Sequence, residues 1–243
     1  MNTALITGST KGIGECIGID LLNKNYTVYF NYAKDDKSAK LLNSKLKERG
    51  FINFKIIKAD LSTYKGVEKL IKETGTSKLD VLVLNAAITD KTKFGEIELE
   101  KWNKVVNVNL TMPFFLIQKL NSEGKIKPNG RIIFISAILA KVPHATSISY
   151  SITKAGANAL VKNLVKYFSK KKITVNAVAP GFVKTTWHKT KTLDHIKRIR
   201  RKIALNRFAE SEEVSSLVME IIKNSYIDGQ IFTIDGGYNY GEV

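Results

Sequence analysis

The sequence predicts an α/β fold in which seven parallel strands form one sheet with helices on both faces, a three-layer sandwich. Short apolar runs alternate with segments of helical periodicity along the whole chain, which is typical of a parallel sheet with crossover helices. The run at residues 79–84 is almost entirely apolar, as expected for a strand covered on both faces. Glycines and polar residues follow the ends of these runs, where such sheets bind ligands.

The length of 243 residues suits one large α/β domain or two small ones. No linker or internal repeat divides the chain, so we expect a single domain over residues 1–243. A composition of 44% hydrophobic and 25% charged residues is typical of a soluble globular protein. No apolar run approaches the roughly 18 residues of a membrane span. Structure begins by Thr3, which leaves no room for a signal peptide, so we expect a cytoplasmic protein.

The single cysteine excludes an internal disulfide, and three dispersed histidines argue against a zinc site. The net charge of +17 is spread over most segments, and no nucleic-acid recognition motif accompanies it. It therefore reflects either lysine-rich solvated helix faces or an anionic substrate or partner. We expect neither a nucleic acid nor a membrane as partner.

The first strand, at residues 4–7, runs into a glycine-rich turn that contains Gly8, Gly12 and Gly14. Apolar residues then recur at helical spacing: Ile13, Cys16, Ile17, Leu21 and Leu22. Glycines at a strand-to-helix turn let the backbone approach a ligand, and the helix N-terminus attracts an anion. A glycine-rich turn by itself equally fits a simple turn that needs positive φ. The strand and helix context favours a Rossmann-type dinucleotide site, with G-x-x-x-G-x-G spacing.

The second strand, at residues 27–31, bears on the choice of cofactor. Sites for NAD usually place an acid at the end of this strand, whereas sites for NADP omit the acid and supply cations. Here the strand ends without an acid, and Lys11 lies in the glycine loop, so we predict NADP(H) in preference to NAD(H). Asp35 and Asp36 follow slightly late and would reverse this preference if the strand ended later. The residues expected at the cofactor here are Asn31, Tyr32 and Lys34.

The middle of the chain continues the alternation, with a helix at residues 38–49, a strand at 54–57 and a helix around Val67. Asp60 has two interpretations, a cap of the following helix or an acceptor for the adenine amino group. The strand at residues 79–84 stops at small residues that let a ribose approach: Asn85, Ala86 and Ala87. The next helix, at residues 102–120, holds Asn109 in its interior, where asparagine is mildly unfavourable and invites a functional reason.

The fifth strand, at residues 131–135, leads to a helix that begins near Ser149 and carries Tyr150 and Lys154. The two side chains are four residues apart and so share a helix face. An ammonium beside a phenol lowers the pKa of the phenol and allows it to exchange a proton with a carbonyl or alcohol oxygen. Such pairs are common on helix surfaces, but the position after the fifth strand favours chemistry.

The remaining elements are a strand at residues 173–178, a helix at 212–222 and a strand at 230–234. After the sixth strand comes a turn that contains Pro180 and Gly181. Residues 186–208 are polar, basic and weakly periodic, which predicts a substrate lid.

Taken together, these motifs resemble the short-chain dehydrogenase/reductase family over essentially the whole chain. The matching residues are Gly8, Gly12, Gly14, Asp60, Asn85, Ala86, Ala87, Asn109, Tyr150, Lys154, Pro180 and Gly181. The strings Val-Asn-Ala-Val-Ala-Pro-Gly-Phe-Val and Thr-Ile-Asp-Gly-Gly are similar to the 3-oxoacyl-[acyl-carrier-protein] reductases of fatty acid biosynthesis. Sugar, steroid and polyol dehydrogenases share them too.

The resemblance implies that Tyr150 donates a proton to a carbonyl oxygen while NADPH delivers a hydride to the carbonyl carbon. Lys154 would lower the pKa of Tyr150 and hold the nicotinamide ribose, and Asn109 would position a water that relays protons. Val183 and Thr185 would hold the carboxamide. It also implies a homotetramer or homodimer. The cofactor contacts expected as a whole are Gly8, Lys11, Gly12, Ile13, Gly14, Asn31, Tyr32, Lys34, Asp60, Leu61, Asn85, Ala86, Ala87, Tyr150, Lys154, Pro180, Gly181, Val183 and Thr185; no metal site is expected.

One departure concerns the family's serine thirteen residues before the tyrosine, which is Ala137 in this sequence. Ser136 lies beside it, but a one-residue slip on a strand points the side chain to the opposite face. A lost oxyanion donor costs about 2.7–4 kcal/mol in the transition state, unless Ser147, Ser149 or a water replaces it. A second departure, Ala87 for glycine, adds one methyl group.

The sequence leaves three functions open. The first is NADPH-dependent reduction of a 3-oxoacyl thioester, with an acidic acyl carrier protein steered by basic residues. The basic residues considered for this are Lys125, Lys127, Arg131 and Lys170 to Lys172, and in the lid Lys189, Lys191, Lys197, Arg198, Arg200, Arg201 and Lys202. The second is a sugar or polyol dehydrogenase. The third is a dinucleotide-binding protein with weakened catalysis because of Ala137.

Overall fold

The computed structural model describes residues 1–143, 147–185, 192–238 and 240–241. Its sheet has seven parallel strands in the order β3-β2-β1-β4-β5-β6-β7. The strands are β1 (Thr3–Ile6), β2 (Thr27–Tyr32), β3 (Phe54–Lys58), β4 (Leu79–Leu84), β5 (Ile126–Ile135), β6 (Thr174–Pro180) and β7 (Ile231–Ile234). Because β1 lies between β2 and β4, the strand order reverses there, and a crevice opens at the carboxyl ends of β1 and β4.

The described part of the chain contains α1 (Gly12–Asn23), α2 (Asp36–Glu48), α3 (Tyr64–Glu73), α4 (Leu99–Val106), α5 (Met112–Ser122), α6 (Ile148–Phe168), α7 (Leu193–Arg201) and α8 (Ser211–Lys223). A π turn at Asn107–Thr111 joins α4 to α5, and short 3-10 helices lie at Phe94–Glu96, Ile138–Ala140 and Ser169–Lys171. Within these residues, no helix is both long enough and apolar enough to cross a membrane.

The core consists of two apolar layers, one on each face of the sheet. Neighbouring residues on a strand belong to opposite layers, since Leu5 packs in one cluster and Ile6 in the other. The first layer unites the sheet with α3, α5 and α6, and the second unites it with α1, α2 and α8. The predicted three-layer α/β fold is thereby confirmed.

The fifth strand begins at Ile126 rather than at the predicted residue 131. Leu79 pairs with Ile126, and Val81 with Arg131, so two steps along β4 correspond to five along β5. The intervening polar turn includes Asn129, whose φ is 61°. The strand therefore absorbs this turn as a bulge, which the local sequence pattern does not reveal.

The predicted continuous helix at residues 102–120 is instead divided into α4, the π turn and α5. The amide of Met112 bonds to the carbonyl of Asn107, five residues earlier. Pro113, near the start of α5, has no N–H to offer the carbonyl of Asn109. The ladder of i to i+4 bonds is therefore broken where Asn109 sits.

The segment predicted as a lid contains α7, a helix that the weak periodicity of residues 186–208 did not indicate. Thr192 caps α7 by accepting a hydrogen bond from the His195 amide. Ile199 is buried in a cluster with Ile138 and Ile203. Residues 186–191 lie outside the described residues, and with them Lys189 and Lys191. The function of the segment as a lid stays a prediction.

Candidate active site

A cavity of about 550 Å³ opens at the carboxyl ends of strands β1 to β6. Of the residues predicted at the cofactor, those that line it are Gly8, Lys11, Gly12, Ile13, Asn31, Tyr32, Lys34, Asp60, Leu61, Asn85, Ala86, Ala87, Tyr150, Lys154, Pro180, Gly181, Val183 and Thr185. Gly14 lies behind the loop, where a Cβ would meet Asn85 Nδ2 at 2.6 Å. Gly14 therefore allows close packing behind the loop and does not line the cavity. The described residues contain no cluster of His, Cys, Asp or Glu that could hold a metal ion.

The glycine-rich loop follows β1 and is supported by the end of β4. Gly8 has a φ of +60°, and a Cβ there would lie 2.7 Å from the Ala86 Cα. Asn85 Nδ2 donates to the carbonyl oxygens of Thr7 at 3.0 Å and Gly8 at 2.7 Å. The amides of Asn85 and Ala86 both donate to Thr7 Oγ1 at 3.0 Å. The Asn85 side chain thus holds the loop in place. Glycine is needed at position 8 because of its positive φ and because the backbone there approaches Ala86 closely.

Asn31, the buried residue near the end of β2, connects the loop to β3. Its Oδ1 accepts a hydrogen bond from the Gly8 amide at 3.3 Å, and its Nδ2 donates to the Ala59 carbonyl at 3.0 Å. The Ser9 amide donates to the Asn31 carbonyl at 2.8 Å. A carboxylate at this position could not make the donor contact, because an ionised carboxylate only accepts hydrogen bonds.

Two ion pairs lie along the same end of the cavity. Lys11 Nζ is 2.6 Å from Asp35 Oδ2, and Lys34 Nζ is 3.9 Å from Asp60 Oδ2. Asp35 lines the cavity and also caps α2 through the Ser38 amide. The hydrogen bond from Lys11, together with those from Ser38, holds the pKa of Asp35 well below its usual range. The acid that the sequence places late is therefore within the site, where it neutralises Lys11.

Tyr150 and Lys154 lie on α6, beside the end of β5. Lys154 Nζ donates to the Ile135 carbonyl at 2.6 Å and lies 5.6 Å from the centroid of the Tyr150 ring. Burial lowers the pKa of Lys154 to about 8 and raises the pKa of Tyr150 above its ordinary value. Burial is thus the dominant influence on the pKa of Tyr150, and the lowering of this pKa by Lys154 stays a prediction.

Asn109 lies in the π turn and is 3% exposed, outside the cavity wall. Its Oδ1 accepts from the Ile88 amide, and its Nδ2 donates to the Ile88 carbonyl, both at 2.9 Å. Nδ2 also donates to Thr153 Oγ1 at 3.0 Å. The side chain therefore ties the segment after β4 to α6, one residue from Lys154. A water relay at Asn109 stays a prediction.

Ala137 lines the cavity where the family resemblance implies a hydroxyl. Ser136 is 2% exposed, and its hydroxyl donates to Asn158 Oδ1 on α6 at 2.7 Å. Its proton is therefore already used in a hydrogen bond within the protein. Ser147 and Ser149 are buried and are not among the described residues of the cavity wall. Within the described residues, no serine therefore replaces the missing donor.

Sequence reasoning did not assign every residue of the cavity wall to the site. The wall residues that it did not consider are Thr10, Ala33, Ala59, Ser62, Ile88, Lys104, Val108, Ile135, Ile138, Leu139 and Phe182, whereas Asp35, Ser136 and Ala137 were weighed for the site and also line it. Most of them adjoin predicted residues in the sequence. Lys104 and Val108 are four residues apart and so share a helix face, but the local pattern does not show that this face is turned toward the site. Several of the wall residues are apolar: Ile88, Val108, Ile138, Leu139 and Phe182.

The basic residues outside the lid that were predicted to steer a carrier lie away from the cavity mouth. Lys125 bonds to the Gly75 carbonyl, Lys127 Nζ is 2.7 Å from Asp80, and Arg131 Nε donates to the Ile222 carbonyl at 3.1 Å. They lie before or near the start of β5, and residues 170–172 precede β6, whereas the cavity opens at the carboxyl ends. The predicted rim is therefore wrong for the cavity of this chain.

Comparisons with known proteins identify the class to which this Rossmann-type fold belongs. The model of the short chain dehydrogenase family matches residues 2–195. The 3-oxoacyl-[acyl-carrier-protein] reductase of Staphylococcus epidermidis is 31% identical over 239 residues, which cover 97% of this chain and 98% of the relative.

Solved structures agree with this assignment. An angucycline C-6 ketoreductase with bound NADP has a TM-score of 0.90 and 25% identity, covering 99% of this chain and 96% of its own. A dehydrogenase/reductase from Sinorhizobium meliloti has a TM-score of 0.89 and 29% identity, covering 97% and 94%. The chain belongs to the short-chain dehydrogenase/reductase family and is an oxidoreductase, as the resemblance predicted.

Proposed function

We propose that this protein is an NADPH-dependent carbonyl reductase that acts on a 3-oxoacyl thioester, with Tyr150 as the proton donor. The observation that supports this most directly is that one cavity joins the glycine-rich loop to Tyr150 and Lys154. A dinucleotide on the loop and a carbonyl at the phenol would therefore share a single space.

The residues present fit NADPH. Gly12 has a φ of +61° and lies at the start of α1, where a free helix N-terminus attracts a pyrophosphate. We propose that Asp60 and Leu61 hold the adenine, and that Val183 and Thr185 hold the carboxamide. Lys11 and Lys34 would bind the 2′-phosphate, which requires Lys11 to leave Asp35. When bound, the cofactor supplies the hydride.

In this proposal, the chain supplies the proton and the charge. The raised pKa of Tyr150 keeps its phenol protonated at neutral pH, so that a proton is available for the carbonyl oxygen. With a pKa of about 8, Lys154 remains largely cationic at pH 7 and would stabilise the phenolate left behind. Asn109 is a positioning residue, because its hydrogen bonds hold α6 and the segment around Ile88 in place.

The apolar part of the cavity wall supports an acyl substrate. Its apolar side chains are Ile88, Val108, Ile138, Leu139 and Phe182. These apolar side chains suit an aliphatic chain better than a hydroxylated sugar. A sugar or polyol dehydrogenase is therefore the second candidate. The relative from Staphylococcus epidermidis bears the name of a 3-oxoacyl-[acyl-carrier-protein] reductase. The same proposal includes an acidic acyl carrier protein as partner, assembly as a homotetramer or homodimer, and a lid at residues 186–208.

The experiment is an assay of NADPH oxidation with acetoacetyl-coenzyme A, comparing the native protein with Tyr150→Phe. We expect the substitution to abolish turnover and to leave NADPH binding unchanged. Tyr167→Phe is the matched control, since Tyr167 lies on the same helix but is 66% exposed. Turnover that survives Tyr150→Phe contradicts the role of the phenol.

Ala137→Ser addresses the remaining alternative, a binding protein with weakened catalysis. A restored donor to the developing oxyanion is expected to raise kcat by about tenfold or more. Native protein that binds NADPH tightly but turns over only after Ala137→Ser would favour the binding protein. Absence of turnover in both would exclude acetoacetyl-coenzyme A as substrate.

A further inference from the structure

Four lysines line the described part of the cavity wall, and they differ in what holds their ammonium groups. Lys11 pairs with Asp35, Lys34 lies 3.9 Å from Asp60, and Lys154 donates to the Ile135 carbonyl. Within the described residues, the Lys104 ammonium has no hydrogen bond and no ion pair. Lys104 is therefore the cation whose charge is not yet compensated there.

Lys104 is an exposed lysine at the edge of the cavity, and its helix face distinguishes it from Lys101, the other lysine of α4. It lies on α4, one turn before Val108, and both residues line the cavity, so this face of the helix is turned toward the site. By contrast, Lys101 on the same helix pairs with Glu98 at 2.8 Å and is not part of the described wall. Helix α4 packs against α6, which carries Tyr150.

No acidic side chain of the described residues pairs with Lys104, although Glu100 lies one turn earlier on α4. The same cavity wall contains the apolar side chains of Ile88, Val108 and Leu139, and Val108 lies one turn after Lys104. The acidic wall residues, Asp35 and Asp60, already have lysine partners and follow β2 and β3. An exposed, unpaired ammonium at the edge of a cavity attracts an oxyanion, with a strength that the solvent reduces.

We infer that Lys104 binds an anionic group of the carbonyl substrate and so selects anionic ketones over neutral ones. This inference rests on the proposed carbonyl reductase function. The group is a carboxylate on the ketone chain or a phosphate of the thioester carrier, since both are oxyanions that accept hydrogen bonds from an ammonium. Lys104 would also supply a second anchor for a substrate that Ala137 cannot hold by a hydroxyl.

The test compares two pairs of substrates that differ in charge. Levulinate and its methyl ester form the carboxylate pair, and acetoacetyl-coenzyme A and acetoacetyl-N-acetylcysteamine form the phosphate pair. We would measure kcat/KM for each with the native protein, Lys104→Met and Lys104→Arg. Lys101→Met is the matched control, since it removes the same charge from the same helix outside the described wall.

Lys104→Met is expected to lower kcat/KM by about threefold to fivefold for the anionic member of one pair and to leave its neutral member unchanged, the scale of an exposed ion pair. The pair affected identifies the carboxylate or the phosphate as the ligand. Lys104→Arg should retain the preference, and Lys101→Met should not alter it. NADPH affinity, measured by fluorescence, should be the same in all variants.

Two results would overturn the inference and are distinguishable. Equal effects of Lys104→Met on both members of each pair, with normal turnover in the native protein, contradict the role of Lys104 alone. No turnover of any of the four substrates by native protein that binds NADPH contradicts the proposed reduction of these ketones and the inference with it.

Discussion

Lys154 is a buried lysine whose ammonium donates to a backbone carbonyl. Its burial determines the pH range in which it is charged. Burial lowers its pKa to about 8, whereas Tyr150 titrates above its ordinary value. Deprotonation of Lys154 removes the cation that would stabilise the phenolate. We therefore predict that kcat/KM for reduction is level below about pH 8 and falls about tenfold per pH unit above it. Lys154→Arg should retain a cation and remove this break, and a native profile that stays level to pH 10 would contradict the assignment.

Asp35 is the second residue whose environment yields a prediction. It neutralises Lys11 at the end of the cavity proposed for the 2′-phosphate, so its carboxylate also repels that phosphate. Asp35→Asn is expected to increase the preference for NADPH over NADH by about threefold to fivefold, the scale of an exposed ion pair. Binding of both cofactors by fluorescence measures it. Asp36→Asn is the control, because Asp36 pairs with Lys58 and is absent from the described wall. An unchanged ratio in Asp35→Asn would contradict this arrangement.

At the scale of elements, the π turn between α4 and α5 is held by Asn109. Asn109→Ala would leave the amide and carbonyl of Ile88 and the Thr153 hydroxyl without their partner. We predict a loss of about 1–3 kcal/mol in the free energy of unfolding, measured with urea. Asn103→Ala, at an exposed position of α4, should cost less than about 0.5 kcal/mol. Equal losses would mean that the Asn109 contacts do not stabilise the fold.

The elements themselves were largely predictable because apolar periodicity is a local property of the chain. The strands ending at Ile6 and Leu84 and the helix that carries Tyr150 follow directly from it. The bulge in β5 and the π turn were not predictable, because each depends on backbone hydrogen bonds whose partners the apolar pattern of the sequence does not identify. Helix α7 was missed since much of its surface is charged, and Ile199 is its one buried residue.

At the scale of the whole molecule, the sheet topology determines which predictions about the site hold. Parallel strands bring the glycine loop, Asn85 and Tyr150 to one edge, so motifs distant in sequence line one cavity. The same topology places Lys127 and Arg131 near the start of β5 and therefore away from the mouth. Lys104 was overlooked because its charge gives no pattern until the fold turns it toward the cavity.

The central claim is that this cavity transfers a hydride from NADPH to a carbonyl carbon. It is tested most directly with NADPH deuterated at the transferable position of the nicotinamide C4 and with acetoacetyl-coenzyme A as acceptor. The account predicts that mass spectrometry finds one deuterium on the carbon of the former carbonyl group in the product alcohol. Oxidation of NADPH without deuterium in the product, at the rate seen with the ketone, would contradict it.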